Sequence, residues 1–326
     1  MKAIVCTKYG PPEVLQLKEV EKPTPKENRV LVKVHAASVN AGDWRGMRAN
    51  PFLIRLAGGG LLRPKDPRFG SDVAGRVEAV GESVKQFRPG DEVFGCAAGA
   101  FAEYALAREA YLAQKPTNRS FEEAAAVPVA ALTALQGLRD AGAIRPGQQV
   151  LIQGASGGVG TFAVQLAKSF GAEVTAVCST RNQGMARSIG ADHVIDYTKQ
   201  DFTRNPQRYD LILAVNGYHS LSAYKRTLNP QGIYVCAGGT MPQFLQAMLL
   251  GSLMSRNGDK KMGGMGVAKV NHEDLVYLGE LLDAGKIVPV IDRSYPLSEV
   301  PDAIRYVEGK HAQGKVVITL EGDNKN

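Results

Sequence analysis

The chain has 326 residues, 44% hydrophobic and 22% charged, with a formal net charge of +7 from 39 basic and 32 acidic residues. This composition is that of a globular protein large enough for two domains, and its scattered basic residues favour an anionic small ligand over a nucleic-acid surface. No secretory signal, no apolar run near the ~18 residues of a membrane span and no CxxC pair are visible, so we expect a cytoplasmic protein in a reducing compartment.

The first part of the chain, up to about residue 115, is predicted to be rich in β-strands. Apolar or alternating runs separated by Gly and Pro turns predict strands at residues 3–6, 30–35, 75–80, 92–94 and 100–106. Between the second and third of these, Asn40 and Asp43 lie in a short sequence with the composition of a turn.

Residues 49–69 form a distinctive segment that directly follows Asn40 and Asp43. Basic residues at and just before it alternate with apolar ones; they are Arg45, Arg48, Arg55, Arg63, Lys65 and Arg68. We interpret the segment as a surface loop or a lid over a substrate site. Contact with a membrane surface is the less favoured alternative.

From Ser120 the pattern changes to helix, and after Pro146 apolar strands alternate with amphipathic helices. Strands are predicted at residues 149–153, 174–178, 194–197, 211–215 and 233–236, and helices at 159–170, 182–189, 220–228 and 242–250. Such alternation indicates a parallel sheet with right-handed crossovers. A closing segment is predicted as helix 274–284, strand 286–291, helix 300–309 and strand 315–320.

The most informative stretch joins strand 149–153 to helix 159–170. Its spacing Ala-x-Gly-x-x-Gly is a dinucleotide-binding fingerprint with alanine in place of the first glycine. Backbone N–H groups and the positive end of a helix dipole converge there, which suits a bound pyrophosphate. The predicted phosphate-binding residues are Ala155, Ser156, Gly157, Gly158, Val159 and Gly160.

The end of the next strand predicts which dinucleotide binds. An acid there would accept a hydrogen bond from the ribose 2′-OH of NAD, but no acid occurs between Val174 and Ala191. Ser179, Thr180 and Arg181 instead offer hydroxyls and a guanidinium, which suit the 2′-phosphate of NADP(H). The alternative is that Arg181 is a solvated surface charge and Ser179 a helix cap.

Motifs spread over nearly the whole chain resemble those of the medium-chain dehydrogenase/reductase superfamily, specifically its zinc-free quinone oxidoreductase branch. They lie at residues 38–43, 70–81, 87–95, 131–134, 154–160, 165–168 and 190–197. The resemblance implies an α/β fold, in which a Rossmann doubly wound parallel sheet accompanies a GroES-like β-rich domain. The implied catalytic domain is 1–126 completed by 268–326, the cofactor domain is 127–267, and the active site lies in the cleft between them. The resemblance also implies a homodimer.

The sequence departs from the zinc-dependent members of this superfamily. They carry a Cys near Asn40, Gly-His-Glu at the position of Gly70-Ser71-Asp72, and a third ligand near Val129. None of these ligands is present, and none of the five histidines has ligand spacing with a cysteine. We therefore predict an enzyme without a metal.

The resemblance also implies roles for individual residues. Asn40 and Asp43 would line the nicotinamide end as catalytic residues, Thr133 would approach the carboxamide, and Tyr197 and Lys315 would contact the adenosine phosphate. Backbone near the nicotinamide ribose would come from Asn216, Gly217, Gly238 and Gly239. The alternatives are structural: Asn40 and Asp43 in a turn, Thr133 packed within a helix, and Tyr197 against the core.

We expect the chain to reduce quinones or α,β-unsaturated carbonyls with NADPH. Conjugation in these acceptors delocalises the charge that a hydride brings, so the protein needs mainly to orient the reactants and donate hydrogen bonds to oxygen. The alternatives are a zinc-independent alcohol dehydrogenase or carbonyl reductase, and a non-catalytic NADPH-binding protein of crystallin-like or nucleic-acid-binding type. The proton donor stays open among Tyr218, His219 and solvent.

Overall fold

The structure is a computed structural model that describes residues 1–50, 52, 55, 60–239, 246, 247, 249–251, 254, 255 and 259–320. The chain forms two compact units, which we number in chain order. The first unit is Met1–Val129, Val270–Gly285 and Pro289–Asn326, and the second is Ala130–Lys269 and Lys286–Val288.

The described residues form these strands and helices. The strands are β1 (Lys2–Cys6), β2 (Leu15–Glu19), β3 (Arg29–Val39), β4 (Asp72–Val80), β5 (Glu92–Ala98), β6 (Tyr104–Gln114), β7 (Gln149–Gln153), β8 (Glu173–Cys178), β9 (His193–Asp196), β10 (Tyr209–Ala214), β11 (Leu228–Cys236), β12 (Lys261–Gly264), β13 (Ile291–Pro296) and β14 (Lys315–Thr319). The α-helices are α1 (Ala41–Arg48), α2 (Phe121–Ala125), α3 (Pro128–Gln136), α4 (Gly158–Ser169), α5 (Gln183–Ser188), α6 (Leu221–Thr227), α7 (His272–Asp283) and α8 (Val300–Glu308).

The first unit is built on a six-stranded sheet in the order β13-β14-β3-β4-β5-β6. Strand β6 also pairs with β3, so part of the sheet curls back on itself. Most neighbours are antiparallel, whereas β13 and β14 are parallel. A single apolar core, which includes Val32, Phe101 and Ile304, packs inside the sheet and under α8.

The second unit holds a parallel six-stranded sheet in the order β12-β11-β10-β7-β8-β9. The chain runs outward from β7 to β9 and then restarts beside β7 at β10, which is the doubly wound arrangement. Ligands of such sheets bind at the carboxyl ends of the strands where the order reverses, here β7 and β10. The parallel sheet predicted from the alternation of strands and helices is confirmed.

Some local predictions differ from the structure, and one lies mostly outside the residues that the structure describes. The predicted strand 286–291 is wrong, because the strand begins only at Ile291. The Val288 backbone instead donates to the Gln165 side chain at 2.7 Å and accepts from it at 3.0 Å, so it is not available to a ladder. Strands β2 and β12 were not predicted; β2 has only two apolar residues, Leu15 and Leu17, and β12 reads Lys-Met-Gly-Gly. The predicted helix 242–250 lies mostly outside the described residues; 246, 247, 249 and 250 are helical.

Candidate functional site

The predicted phosphate-binding turn follows β7 and leads into α4. Gly154 adopts a φ of +82°, and Gly157 occupies the N-cap of the helix. At Gly160 a Cβ atom would lie 2.1 Å from the Gly154 carbonyl oxygen, so only glycine permits this approach of helix and strand. The local geometry therefore requires glycine at position 160 of the fingerprint, and the positive φ favours glycine at position 154 before it.

The turn presents backbone donors at its partly exposed surface. Gly154 and Ala155 donate their N–H groups to the Val177 carbonyl in β8, which ties the turn to the neighbouring strand. N–H groups in the first turn of a helix have no partner within the helix, and the helix dipole adds positive potential. The partly exposed residues around these donors are Ser156, Gly157, Gly158 and Val159. This arrangement fits the pyrophosphate of a dinucleotide.

A buried amide at the end of β7 also has unused hydrogen-bonding capacity. Gln153 is 1% exposed, and its Oε1 accepts the Tyr224 hydroxyl at 2.5 Å. Among the described residues its Nε2 has no hydrogen-bond partner. Since buried donors normally find an acceptor, this nitrogen beside the glycine turn fits a site that a ligand completes.

The predicted 2′-phosphate residues lie together at the carboxyl end of β8. Ser179 is half-buried, whereas Thr180 and Arg181 are exposed. The Thr180 hydroxyl donates to Asp196 Oδ2, which belongs to the neighbouring strand β9. Asp196 lies beyond residues 174–191, the range in which an acid was expected, and so was not predicted.

The Asp196 carboxylate is ionised beside this loop. Hydrogen bonds from the hydroxyls of Thr180 and Thr198 lower its pKa from 3.8 to about 2, although burial opposes them. Strands β8 and β9 are parallel, with Cys178 opposite Asp196. Residues that end adjacent parallel strands meet at one edge, and this register is the signal that would have located Asp196.

Two tyrosines flank the edge of the sheet that carries these turns. Tyr197 follows β9 and Tyr218 follows β10, yet their rings pack edge to face with centroids 6.4 Å apart. Each ring is about half exposed, at 50% and 49%. Burial raises the pKa of Tyr218 and lowers that of the adjacent His219.

The structure brings together the glycines predicted to lie near the nicotinamide ribose. Gly217 follows β10 and pairs with Gly239, which follows β11, through an isolated parallel bridge. The Gly217 N–H donates to the Gly238 carbonyl at 3.4 Å, and Asn216 beside it is exposed. Thr133 lies on α3, half-buried between the fully buried Leu132 and Ala134.

The two predicted catalytic residues begin helix α1 rather than forming an isolated turn. Asn40 is the N-cap residue, and the Asp43 carboxylate accepts its backbone N–H at 2.7 Å. Both side chains are half-buried. The pKa of Asp43 is raised from 3.8 to about 7, mainly by desolvation and also by the nearby Asp72 charge; the hydrogen bond from the Asn40 N–H and the Lys315 charge oppose the shift.

Lys315, expected at the adenosine phosphate, lies in the first unit with Asn40. Its side chain is 2% exposed. The ammonium donates to Asn40 Oδ1 at 2.6 Å and to Asp72 Oδ2 at 3.2 Å. This buried position differs from the exposed position that a phosphate contact requires.

Asp72 is the centre of this polar cluster and was not predicted as a site residue. Its Oδ2 also accepts from Ser38 Oγ at 2.8 Å and from Asn40 Nδ2 at 2.8 Å. Its Oδ1 accepts the Val129 N–H at 3.0 Å. Asn40 and Val129 lie near positions named above for zinc ligands, and Asp72 ends the Gly70-Ser71-Asp72 motif. In this chain the Lys315 ammonium donates to Asn40 and Asp72. Among the described residues, no group of three or more His, Cys, Asp or Glu side chains could hold a metal ion.

The basic residues of segment 49–69 and its N-terminal flank make local contacts where the structure describes them. Arg48 pairs with Glu308, and Arg68 pairs with Asp66. The Arg55 guanidinium lies 4.6 Å from the centroid of the Tyr9 ring. Residues 51, 53, 54 and 56–59 of the predicted lid are outside the described residues. Across the described part of the chain, no helix has the length and apolar character needed to cross a membrane.

Two family models match the chain. The alcohol dehydrogenase GroES-like domain matches residues 26–117, and the zinc-binding dehydrogenase model matches residues 189–318. The chain is 38% identical to the 2-methylene-furan-3-one reductase of Solanum lycopersicum, over 98% of this chain and 79% of that protein.

Solved structures with the same fold cover almost the whole chain. The quinone oxidoreductase from Coxiella burnetii is 31% identical with a TM-score of 0.87, over 98% of this chain and 99% of that chain. The Escherichia coli quinone oxidoreductase complexed with NADPH is 25% identical with a TM-score of 0.82, over 98% and 100% of the two chains.

These similarities confirm the fold class and the oxidoreductase family predicted from the motifs. The predicted absence of zinc and the predicted roles of individual residues stay predictions. The chain belongs to the medium-chain dehydrogenase/reductase superfamily, in its quinone oxidoreductase branch.

Proposed function

We propose that this chain is an NADPH-dependent reductase of quinones or α,β-unsaturated carbonyls that works without a metal. The observation that carries the proposal is the glycine turn from Gly154 to Gly160, at the point where the doubly wound sheet reverses its order. Such a turn is built to hold a dinucleotide. The bound nicotinamide would supply a hydride, and the protein's task is to hold and orient both reactants.

The pyrophosphate would lie against the N-terminus of α4. The donors are the backbone N–H groups of the first turn of α4, at Gly158, Val159 and Gly160, and the unpaired Gln153 Nε2 lies at the edge of the same turn. Close backbone approach is possible there because the turn carries glycine at positions 157, 158 and 160.

The 2′-phosphate would be held by Ser179, Thr180, Arg181 and Tyr197. Arg181 is exposed and supplies a cation that can pair with a phosphate in a bidentate manner. Asp196 lies beside the loop and carries an opposing charge, so we propose a preference for NADPH over NADH rather than exclusion of NADH.

The residues of the second unit that would bind the nicotinamide end are Thr133 and the backbone of Asn216, Gly217, Gly238 and Gly239. In the first unit, Asn40 and Asp43 would line the acceptor. The carboxylate of Asp72 is engaged by protein donors, and we therefore propose that hydrogen bonds replace a metal at the acceptor oxygen.

The proposal also includes the domain boundaries, the location and the oligomeric state of the protein. We propose a catalytic domain of residues 1–126 and 268–326, a cofactor domain of residues 127–267, a cytoplasmic location and a homodimer. Analytical ultracentrifugation tests the dimer.

The test of the activity follows the absorbance of NADPH with three acceptors: a quinone, an α,β-unsaturated ketone and a simple aldehyde. We expect turnover with the first two, unchanged after dialysis against a chelator. Turnover with the aldehyde alone would instead identify a carbonyl reductase. Binding of NADPH without reduction of any acceptor would reject the enzymatic proposal.

A further inference from the structure

The Lys315–Asp72 pair is a buried ion pair that contacts Asn40, and the proposed reaction gives Lys315 no role of its own. The two side chains are 2% and 0% exposed, and the pair joins β14 to the first residue of β4. Removing two charges from water is costly, and a buried ion pair is weak evidence for stability. A role in orienting a neighbouring group accounts for its presence better.

The neighbour that the pair orients is the Asn40 amide. An ammonium only donates hydrogen bonds and a carboxylate only accepts them. Lys315 therefore fixes which end of the amide is Oδ1, at 2.6 Å, and Asp72 fixes which end is Nδ2, at 2.8 Å. If the Asn40 amide were flipped, its Nδ2 donor would face the Lys315 ammonium and its Oδ1 acceptor would face the Asp72 carboxylate, so neither hydrogen bond could form.

This arrangement leaves one N–H of Asn40 weakly bound. Nδ2 carries two hydrogens, and within the described part of the chain the second contacts only Ser71 Oγ, at 3.4 Å. That distance lies beyond the usual range for a strong N–H···O bond. Asn40 and Ser71 are both half-buried, whereas Lys315 and Asp72 are buried behind them. A carbonyl oxygen arriving at Asn40 could therefore take the place of Ser71.

We propose that Lys315 is a positioning residue, which holds the Asn40 amide so that this second Nδ2–H donates to the acceptor's carbonyl oxygen. The inference rests on the proposed reductase function, and in that reaction the Asn40 amide would stabilise the negative charge that develops on the acceptor's carbonyl oxygen. Hydride addition to the β-carbon of an enone forms one C–H bond and moves the π electrons onto the carbonyl oxygen. A solvent proton then adds at the α-carbon, so that the acceptor gains two electrons and two protons, while NADPH becomes NADP⁺.

The ammonium also strengthens the donor that it positions. A cation on Oδ1 polarises the amide and makes its N–H groups better donors, and linked hydrogen bonds reinforce one another. A preorganised donor aimed at the position of developing charge is the main way to replace a metal at an oxygen.

The test compares Lys315→Met, Lys315→Arg and the double variant Lys315→Met/Asp72→Asn with the wild type. The single Met variant leaves a buried carboxylate unpaired, so it is expected to unfold more easily. The double variant removes both charges and leaves at position 72 an amide, which both donates and accepts and so no longer fixes the orientation of Asn40. Lys310→Met is the control, because Lys310 is an exposed lysine shortly before β14.

We expect the double variant to lose about 100-fold in kcat with an enone, the effect of removing one oxyanion donor. Its dissociation constant for NADPH, measured by fluorescence, should change less than about twofold. Lys315→Arg should recover much of the activity, and Lys310→Met should match the wild type. A double variant within about threefold of wild-type kcat overturns the inference, and so does a parallel loss of NADPH affinity, which would assign Lys315 to the cofactor.

A second readout does not depend on turnover. 4-Nitrophenol absorbs differently as phenol and as phenolate, and the phenolate resembles an enolate oxygen. We expect the wild type to bind the phenolate and the double variant to lose this binding. Equal phenolate binding by both proteins overturns the inference. If the wild type reduces no acceptor, the proposed function fails, and the phenolate spectrum alone decides whether Asn40 is positioned as an anion donor.

Discussion

The Thr180 hydroxyl donates a 2.5 Å hydrogen bond to the Asp196 carboxylate, across the carboxyl ends of two neighbouring strands. The loop proposed to receive a phosphate is therefore ordered by an anion. This carboxylate holds Thr180 and Thr198 in place and also repels a second negative charge.

Replacing Asp196 by Asn is predicted to increase the preference for NADPH. Asparagine keeps an oxygen acceptor for the Thr180 hydroxyl, but the charge that opposes the 2′-phosphate is gone. At several ångströms in a wet site, one such charge corresponds to about two- to fivefold in affinity. The measurement is the ratio of kcat/KM for NADPH to that for NADH, with Asp140→Asn on the exposed surface as the control. A ratio that falls would contradict the proposed position of the phosphate.

Replacing Arg181 by Ala is predicted to decrease the preference for NADPH over NADH. Loss of the guanidinium should weaken NADPH binding by about tenfold, the size of a charge-assisted hydrogen bond, and leave NADH unaffected. Arg187→Ala is the matched control, since Arg187 is an exposed arginine on the helix that follows the same loop. Equal effects on both cofactors would place Arg181 outside the 2′-phosphate site.

Two glycine substitutions are predicted to have opposite effects on stability. In Gly160→Ala the added Cβ would lie 2.1 Å from the Gly154 carbonyl, whereas at Gly184 the structure places no atom within 4 Å. The first should destabilise the fold by about 1–3 kcal/mol and abolish NADPH binding. The second should stabilise it by about 0.5 kcal/mol, because alanine favours helix. Urea denaturation with and without NADPH measures both. A Gly160→Ala protein with full NADPH affinity would contradict the proposed phosphate site.

The raised pKa of Asp43 predicts a pH dependence of stability. Between its unfolded value of 3.8 and its folded value of about 7, the folded protein holds a proton that the unfolded chain has released. The free energy of unfolding should therefore decrease as pH rises through this window. Asp43→Asn keeps the acceptor for the Asn40 N–H and removes the titration. Melting temperatures at about pH 5 and about pH 8 should differ less in this variant than in the wild type or in the exposed control Asp302→Asn. If the difference in melting temperature between the two pH values were the same in Asp43→Asn as in the wild type, the raised pKa of Asp43 would be contradicted.

The sequence was most informative where a signal is local. The predicted strand at residues 149–153 is the strand of the structure, and helix α4 begins within one residue of its predicted start. Hydrophobic period and glycine spacing act over a few residues, so a single sequence reveals them.

The features that were not predicted are contacts between residues far apart in the sequence. Lys315 and Asn40 are 275 positions apart, and neither residue type indicates the other. Asp196 reaches Thr180 only because β8 and β9 are aligned in register. Strand 286–291 was misplaced because its apolar residues resemble a ladder strand, whereas a single glutamine, Gln165, satisfies the Val288 backbone.

Strand β14 lies between β13 and β3, so the first unit is completed by residues synthesised long after β3. On the ribosome, Asp72 and the segment Ala36–Val39 of β3 would emerge long before the strand that pairs with them. Until then, the nascent unit has an open sheet edge and a carboxylate without its lysine. Such edges promote aggregation, and contacts across this separation form slowly. Nascent chains of this protein should therefore bind chaperones until β14 is released, and acquire Asn40 positioning only when β14 pairs with β3.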